Sequence, residues 1–327
     1  MVGKGFSTVQ AREAELARAR APGKLVLSGA YSVLYGAPAI VTAVSRFAYA
    51  DAAEPAVHIA EEVRAAVDMG LLAQPCLVNA DALRIADGAG SSRKIGLGSS
   101  AAILVATLFA SGAVGGDDAT RELAFSVAFD VHRRAQGGGS GIDIAASVFG
   151  GTQSLLRREQ QAPRVQPIVL PPETVIEVYA AAQSAVTSAF VARVRAFAAT
   201  SPNEFEPLIE RARAGAVDAV EARSVEALAR SLAAQRSALE TLGDLAGVGI
   251  VTSDVRALAA LAEKSGHVFL PSGAGGGDIA FSLGGEPTSE EFRREALARR
   301  YTRIELAVHA DGAGITDVPV AAPRSNW

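Results

Sequence analysis

Apolar positions alternate between short unbroken runs and longer, helically spaced stretches. Runs at 25–27, 39–44, 175–182, 268–270, 278–283 and 304–308 are bounded by Gly, Pro or charged residues and predict strands. Helices are predicted over 61–72, 101–110, 186–199, 219–242, 254–264 and 290–300, with another starting at Ile142. A further helix is opened by Asp117 and Asp118 as N-caps, carries Leu123, Val127 and Val131 on one face, and ends at Gly137-Gly138-Gly139. Residues 87–94 are polar and rich in Gly and Ser, which predicts a loop. The periodic pattern breaks over 157–172, around Pro163, Pro167, Pro171 and Pro172. This break predicts a boundary near residue 160, dividing the chain into 1–160 and 161–327. The mixed order of elements predicts an α+β protein in two layers.

Composition narrows the class without deciding it. The 327 residues are 49% apolar and 20% charged, as in soluble globular proteins, and can bury a sizeable core. A formal net charge of −4 implies no general attraction to nucleic acid or to an anionic membrane, so any anionic ligand needs a local basic site. Cys76 is the single cysteine, which excludes an internal disulfide and suits a reducing cytoplasm. The first twenty residues lack the apolar stretch of a signal peptide. The longest apolar run, 101–110, is half of the ~20 residues a membrane span needs.

Three glycine-rich segments carry candidate chemistry. In the first, Lys94-Ile95-Gly96-Leu97-Gly98-Ser99-Ser100-Ala101 runs into the apolar helix. Gly96 and Gly98 permit close backbone approaches, and Ser99 and Ser100 stand at a helix N-terminus, where free N–H groups favour an anion. A hydroxyl there can also reach a Mg²⁺ carried by phosphates. Two other readings stand beside this one. One is a helix merely capped by serine. The other is a dinucleotide fingerprint of the G-x-G-x-x-A form with Asp117 as its acid, although the residues before Gly96 read as loop rather than strand. The second segment, Ser272-Gly273-Ala274-Gly275-Gly276-Gly277-Asp278, is bare enough to wrap a ligand or to serve as a flexible hairpin. The third, Gly137-Gly138-Gly139-Ser140-Gly141-Ile142-Asp143, puts an acid in the first turn of a helix, where capping is an alternative role.

Other motifs are absent. No G-x-x-x-x-G-K-[ST] loop occurs, nor any H-R-D or D-F-G set. The histidines at 58, 132, 267 and 309 lack metal-ligand spacing.

Taken together and in this order, the segments resemble the GHMP kinases, which include galactokinase, homoserine kinase, mevalonate kinase and phosphomevalonate kinase. The stretch Ala21-Pro22-Gly23-Lys24 with Ser28 and Tyr31 is similar to their first motif, 96–102 to the phosphate-binding second, and 272–278 to the third. The resemblance spans 21–278. It implies an N-terminal domain like ribosomal protein S5 domain 2 followed by a ferredoxin-like domain. The stretch 132–151, and Asp278 in place of a fourth glycine, most resemble phosphomevalonate kinases. His132 falls where mevalonate kinases usually carry a Mg²⁺-binding glutamate. Gly98 falls where diphosphomevalonate decarboxylases usually have alanine. The chain departs from the family at Ala30, often Glu, and in the loose match of 182–188 to a Ser/Thr-rich loop.

This resemblance implies an ATP- and Mg²⁺-dependent kinase acting on a small anionic metabolite, phosphomevalonate first. A mevalonate kinase or other relative, or a catalytically silent metabolite sensor, is the alternative. It implies catalytic roles for Lys24 and Asp143. Nucleotide contacts are implied at Lys94, Gly96, Leu97, Gly98, Ser99, Ser100 and Ala101, with Ser100 also on the metal. Substrate contacts are implied at Lys24, Ser28, Tyr31, Ser140, Gly141, Ser272, Gly273, Ala274, Gly275 and Asp278. Arg93 and Lys94 are the cations suited to offset repulsion between two phosphates. A monomer or homodimer with no nucleic-acid or membrane partner is expected.

Overall fold

The computed structural model describes residues 17–86, 92–115, 118–158, 161–182 and 187–324. The first layer is built from β1 (Arg18–Ser28), β2 (Pro38–Pro55), α1 (Glu61–Asp68), β3 (Cys76–Asn79), β4 (Arg84–Ala86), β5 (Ser92–Lys94), α2 (Ser99–Ala110), α3 (Asp118–Gln136), α4 (Ile142–Phe149), β6 (Thr152–Arg158) and β7 (Gln161–Pro167). The second follows with β8 (Val175–Ala181), α5 (Thr187–Thr200), α6 (Pro202–Glu221), α7 (Val225–Ala246), α8 (Ser253–Glu263), β9 (Val268–Pro271), β10 (Ile279–Gly284), α9 (Glu290–Ala298) and β11 (Tyr301–Ile304). A final short strand, β12 (Gly314–Ile315), returns to β1 and extends the first sheet.

The first sheet runs in the order β12-β1-β2-β6-β7, with β3 pairing β2. Its central pair is apolar because α2 lies against it: every residue of that helix except Ser100 is buried. A helix buried all round needs no polar face, which is why 101–110 is greasy without amphipathic spacing. The second sheet is antiparallel in the order β11-β8-β10-β9. Numbered within that layer the order is 4-1-3-2, with helices after its first and third strands, the ferredoxin-like arrangement. Its core is aromatic, with Tyr179, Phe269, Phe292 and Tyr301 meeting edge to face.

Several expected elements are revised. The strand expected at 304–308 is Tyr301–Ile304, and Val308 makes an isolated bridge to Val44. The single helix expected at 219–242 is two helices, because the chain breaks at 222–224 before Ser224 caps α7. Of the expected loop 87–94, Ser92–Lys94 is a strand paired with Arg84–Ala86, and 87–91 lie outside the described residues. In α3 the core face is Ala124, Phe125, Ala128, Phe129, Val131 and His132, whereas Leu123 is exposed. One apolar residue every four drifts around a 3.6-residue helix, so the expected stripe could not stay inward. The expected cap Asp117 is outside the described residues. The strands β6 and β7 pair as a hairpin within the first sheet, and the chain reaches the second sheet at Val175.

Candidate functional site

The three glycine-rich segments and the first motif converge on Lys24. This residue sits in β1 opposite Ala43 of β2, with its side chain almost fully buried. Its backbone N–H donates to the Leu97 carbonyl at 2.8 Å. That approach depends on Gly23, since a Cβ there would lie 2.7 Å from the same carbonyl oxygen and 2.5 Å from Leu83. The Lys24 ammonium donates to the Gly96 carbonyl at 2.9 Å and stands 3.5 Å from an Asp143 carboxylate oxygen. Asp143 is in the first turn of α4, after Gly141 at φ 82°. Ser140 accepts a long hydrogen bond from the Ile142 N–H at 3.4 Å.

The loop 95–98 delivers the chain to α2 through Gly98, whose φ is +75°. A side chain there would be conformationally strained, and its Cβ would meet the Lys24 stem at 2.9 Å. Glycine therefore lets the lysine lie across the mouth of the helix. No side chain caps this N-terminus. Its first free N–H groups belong to Ser99, Ser100 and Ala101, so the end carries partial positive charge. Ser99 and Leu97 are buried and Ser100 is half-buried. The Ser100 hydroxyl accepts a long contact, 3.4 Å, from the Gln136 amide, which also donates to the buried Glu62 at 3.0 Å. Lys94 ends β5 with an exposed side chain.

The third segment closes over this group from the second layer. Gly273 faces the Lys24 ammonium, and the Ala274 carbonyl accepts from the Tyr31 hydroxyl at 2.7 Å. Tyr31 has φ 60°, a rare value for an aromatic residue, and burial raises its hydroxyl pKa. The Ser272 hydroxyl accepts from the Val26 N–H at 2.9 Å, tying the loop to β1. Gly275 packs on the Ile250 carbonyl so closely that no Cβ fits. Asp278 is half-buried. Burial raises its pKa, while Arg93, the Gly96 N–H and Lys24 lower it in part. Arg93 stands 3.4 Å from this carboxylate and also donates to the Ala181 carbonyl.

The fold thus brings Lys24, Asp143, Gly96, Leu97, Gly98, Ser99, Ser100, Gly273, Ala274 and Asp278 to one cleft. Ser28 is turned elsewhere. Its hydroxyl donates to Gln235 at 3.0 Å, and the same Gln235 oxygen accepts from the Gly29 N–H at 2.8 Å. Gln235, on α7, was not among the expected residues. Its signal was available, since it interrupts the apolar stripe Leu228, Leu232, Leu239, Leu242 with a polar side chain. Such an interruption on a core face marks a group with an obligatory partner.

Residues 82–151 match the family model described as GHMP kinases N terminal domain. The chain is 27% identical over 275 residues to a mevalonate kinase of Archaeoglobus fulgidus, covering 81% of this chain and 91% of that one. It is 32% identical over 215 residues to a phosphomevalonate kinase of a Streptomyces species, covering 58% of this chain and 57% of that one. Among solved structures, a Streptococcus pneumoniae phosphomevalonate kinase in complex with phosphomevalonate and AMPPNP superposes with a TM-score of 0.71 at 17% identity, over 89% of this chain and 99% of that one. Residues 82–151 thus match a GHMP kinase N-terminal domain, and the two-layer fold is similar to that of solved kinases of this kind.

Proposed function

We propose that the protein transfers the γ-phosphoryl group of ATP to phosphomevalonate, giving diphosphomevalonate. The observation that carries the reading is the position of Lys24. One buried ammonium lies across an uncapped helix N-terminus, held by the Gly96 carbonyl and beside Asp143. Phosphoryl transfer is served by positioning and charge stabilisation, and this cleft supplies both. The free N–H groups of α2 receive phosphate oxygens. Lys24 places a fixed positive charge where charge builds on the transferring group, in a region of low water content. The glycine loop 273–277 allows the acceptor to approach that lysine.

The residues also suit Mg²⁺. Few side chains are needed for a hard cation that shares ligands with phosphates. Ser100 offers a hydroxyl at the helix mouth, which accepts the long Gln136 contact. Bound there with the nucleotide, the ion would neutralise charge on the phosphates.

Asp143 separates phosphomevalonate from the runner-up acceptor, mevalonate. The second ionisation of a phosphomonoester lies near ~6, so the acceptor oxygen is largely deprotonated at neutral pH. A mevalonate hydroxyl needs a base, worth ~10²–10⁴ in rate, and Asp143 is placed to serve as one. The mevalonate reading is favoured by the larger share of chain covered in the Archaeoglobus relative. Asp278 at the end of the third segment favours phosphomevalonate.

The test is ADP release with ATP–Mg²⁺ against mevalonate, phosphomevalonate, diphosphomevalonate, galactose and homoserine. Turnover with phosphomevalonate alone is expected. Lys24→Met should lower kcat by roughly 10³-fold or more with nucleotide binding largely kept, and Asp143→Asn should be much milder. Equal, near-total losses would transfer the assignment to a hydroxyl acceptor.

A further inference from the structure

Four residues beyond Lys24, β1 closes at Ser28 and the chain turns through Gly29 and Tyr31 toward β2. The turn is tight: Gly29 has φ +85°, and a Cβ there would lie 2.5 Å from the Pro38 carbonyl oxygen. Tyr31 has φ 60° and ψ −51°, outside the left-handed region open to side chains. Such a residue persists only where its surroundings over-determine it. At one end the Tyr31 hydroxyl donates to the Ala274 carbonyl at 2.7 Å. At the other, the buried Gln235 of α7 accepts through its side-chain oxygen from the Ser28 hydroxyl at 3.0 Å and the Gly29 N–H at 2.8 Å. Its amide nitrogen donates to the Gly215 carbonyl of α6 at 3.0 Å. These partners fix the amide's orientation, since flipping it would set its N–H groups against the Gly29 N–H. Gly215 leaves the room this needs: a Cβ there would lie 2.9 Å from the Gln235 Cγ.

We infer that Gln235 is a positioning residue for the acceptor side of the cleft, acting through Tyr31. It ties the turn 28–31 to the α6–α7 pair, and the turn presents the Tyr31 hydroxyl to Ala274. Ala274 belongs to the glycine loop whose Gly273 faces the Lys24 ammonium. The inference deepens the kinase reading and rests on it for its consequence, which is an effect on the acceptor rather than on the nucleotide. The chemistry requires an oxygen at this point of α7. A carboxamide can take the Gly29 N–H, and a leucine side chain cannot. A buried N–H left without an acceptor costs free energy comparable to a lost hydrogen bond, so the turn relaxes and Tyr31 is no longer held against Ala274.

Hydrogen exchange on the full chain, steady-state kinetics with phosphomevalonate, and calorimetric titration of a non-hydrolysable ATP analogue with Mg²⁺ test this together. In Gln235→Leu, exchange at 29–34 should accelerate about ten-fold or more, with the interior of α7 unchanged. The KM for phosphomevalonate should rise roughly ten-fold, while the analogue binds within about two-fold of the unaltered chain. Gln235→Asn, one methylene short of the turn, carries the same expectation should Gln235→Leu not fold. Tyr31→Phe removes the hydroxyl that reaches Ala274 and should raise the same KM, and the double variant should be no worse than the poorer single one. Unchanged exchange at 29–34 would overturn the inference. So would acceleration spread evenly over α6 and α7, which marks general destabilisation, or KM effects that multiply in the double variant. Failure of the unaltered chain to turn over phosphomevalonate would overturn the kinase reading instead, with exchange at 29–34 still deciding whether Gln235 holds the turn.

Discussion

Two carboxylates in the second layer are taken largely out of water, and they end in opposite states. Asp278 lies at the cleft, bonded through its backbone to Ala181 at the end of β8, whereas Glu177 lies near the start of the same strand. Burial pushes both upward. For Glu177 it is outweighed by Thr288, which donates from its hydroxyl and its N–H, and by Arg293 and Arg303 at 3.3 and 2.9 Å. Its pKa falls below the ordinary carboxylate value. For Asp278, Arg93, the Gly96 N–H and Lys24 compensate burial only in part, and its pKa stays raised. The difference lies in how the donors are shared. The Thr288 hydroxyl and amide both serve the Glu177 carboxylate, while Lys24 and Arg93 are divided among Gly96, Asp143 and Ala181. A carboxylate saturated with donors stabilises the fold, and an under-compensated one marks a site whose charges have other work.

The largest effect that sharpens this contrast is on the cleft side. Gly98→Val should cut turnover at least 100-fold, because residue 98 has φ +75°, which strains a β-branched side chain, and its Cβ would displace the Lys24 side chain. Steady-state ADP release should report that loss while circular dichroism shows the fold retained. Next comes Glu177→Gln, expected to lower stability at neutral pH by about 1–2 kcal/mol, since the Arg partners are partly exposed and contribute little. With the folded-state pKa below the unfolded one, the contribution of Glu177 is present above the unfolded value. It is lost as pH falls through the folded value. Thermal melts of the two forms should therefore differ at pH 7 and converge once the pH has fallen through the lowered folded-state value. The smallest shift is for Asp278→Asn. A raised pKa means that the ionised form costs stability above its titration, so removing the charge should leave the pH 7 melting temperature unchanged or slightly higher. A fall as large as that of Glu177→Gln would break the contrast.

Much of this was legible in the sequence, for local reasons. Gly96, Gly98, Ser99 and Ser100 announce a helix mouth open to an anion because glycine and serine act on their own backbone. The glycines of 272–278 are legible in the same way. The ends of α6 and α7 were not, because residues 219–242 remain apolar and helix-forming through the break at 222–224. The core face of α3 also escaped: His132 is buried there, and only packing against its neighbours tells a core histidine from a surface one.

By itself, the sequence determined which segments are backbone-bare, which helix is buried all round, and that a lysine, two serines and two aspartates attend them. Only the tertiary structure decided that Lys24 meets Gly96 and Asp143, that Ser28 is committed to Gln235, and that Asp278 faces Arg93. The reason is distance along the chain. Glycine conformation and helix capping are settled within a few residues, whereas Lys24 and Asp143 become neighbours only when α4 packs on β1, and Arg93 and Asp278 only when the two layers meet.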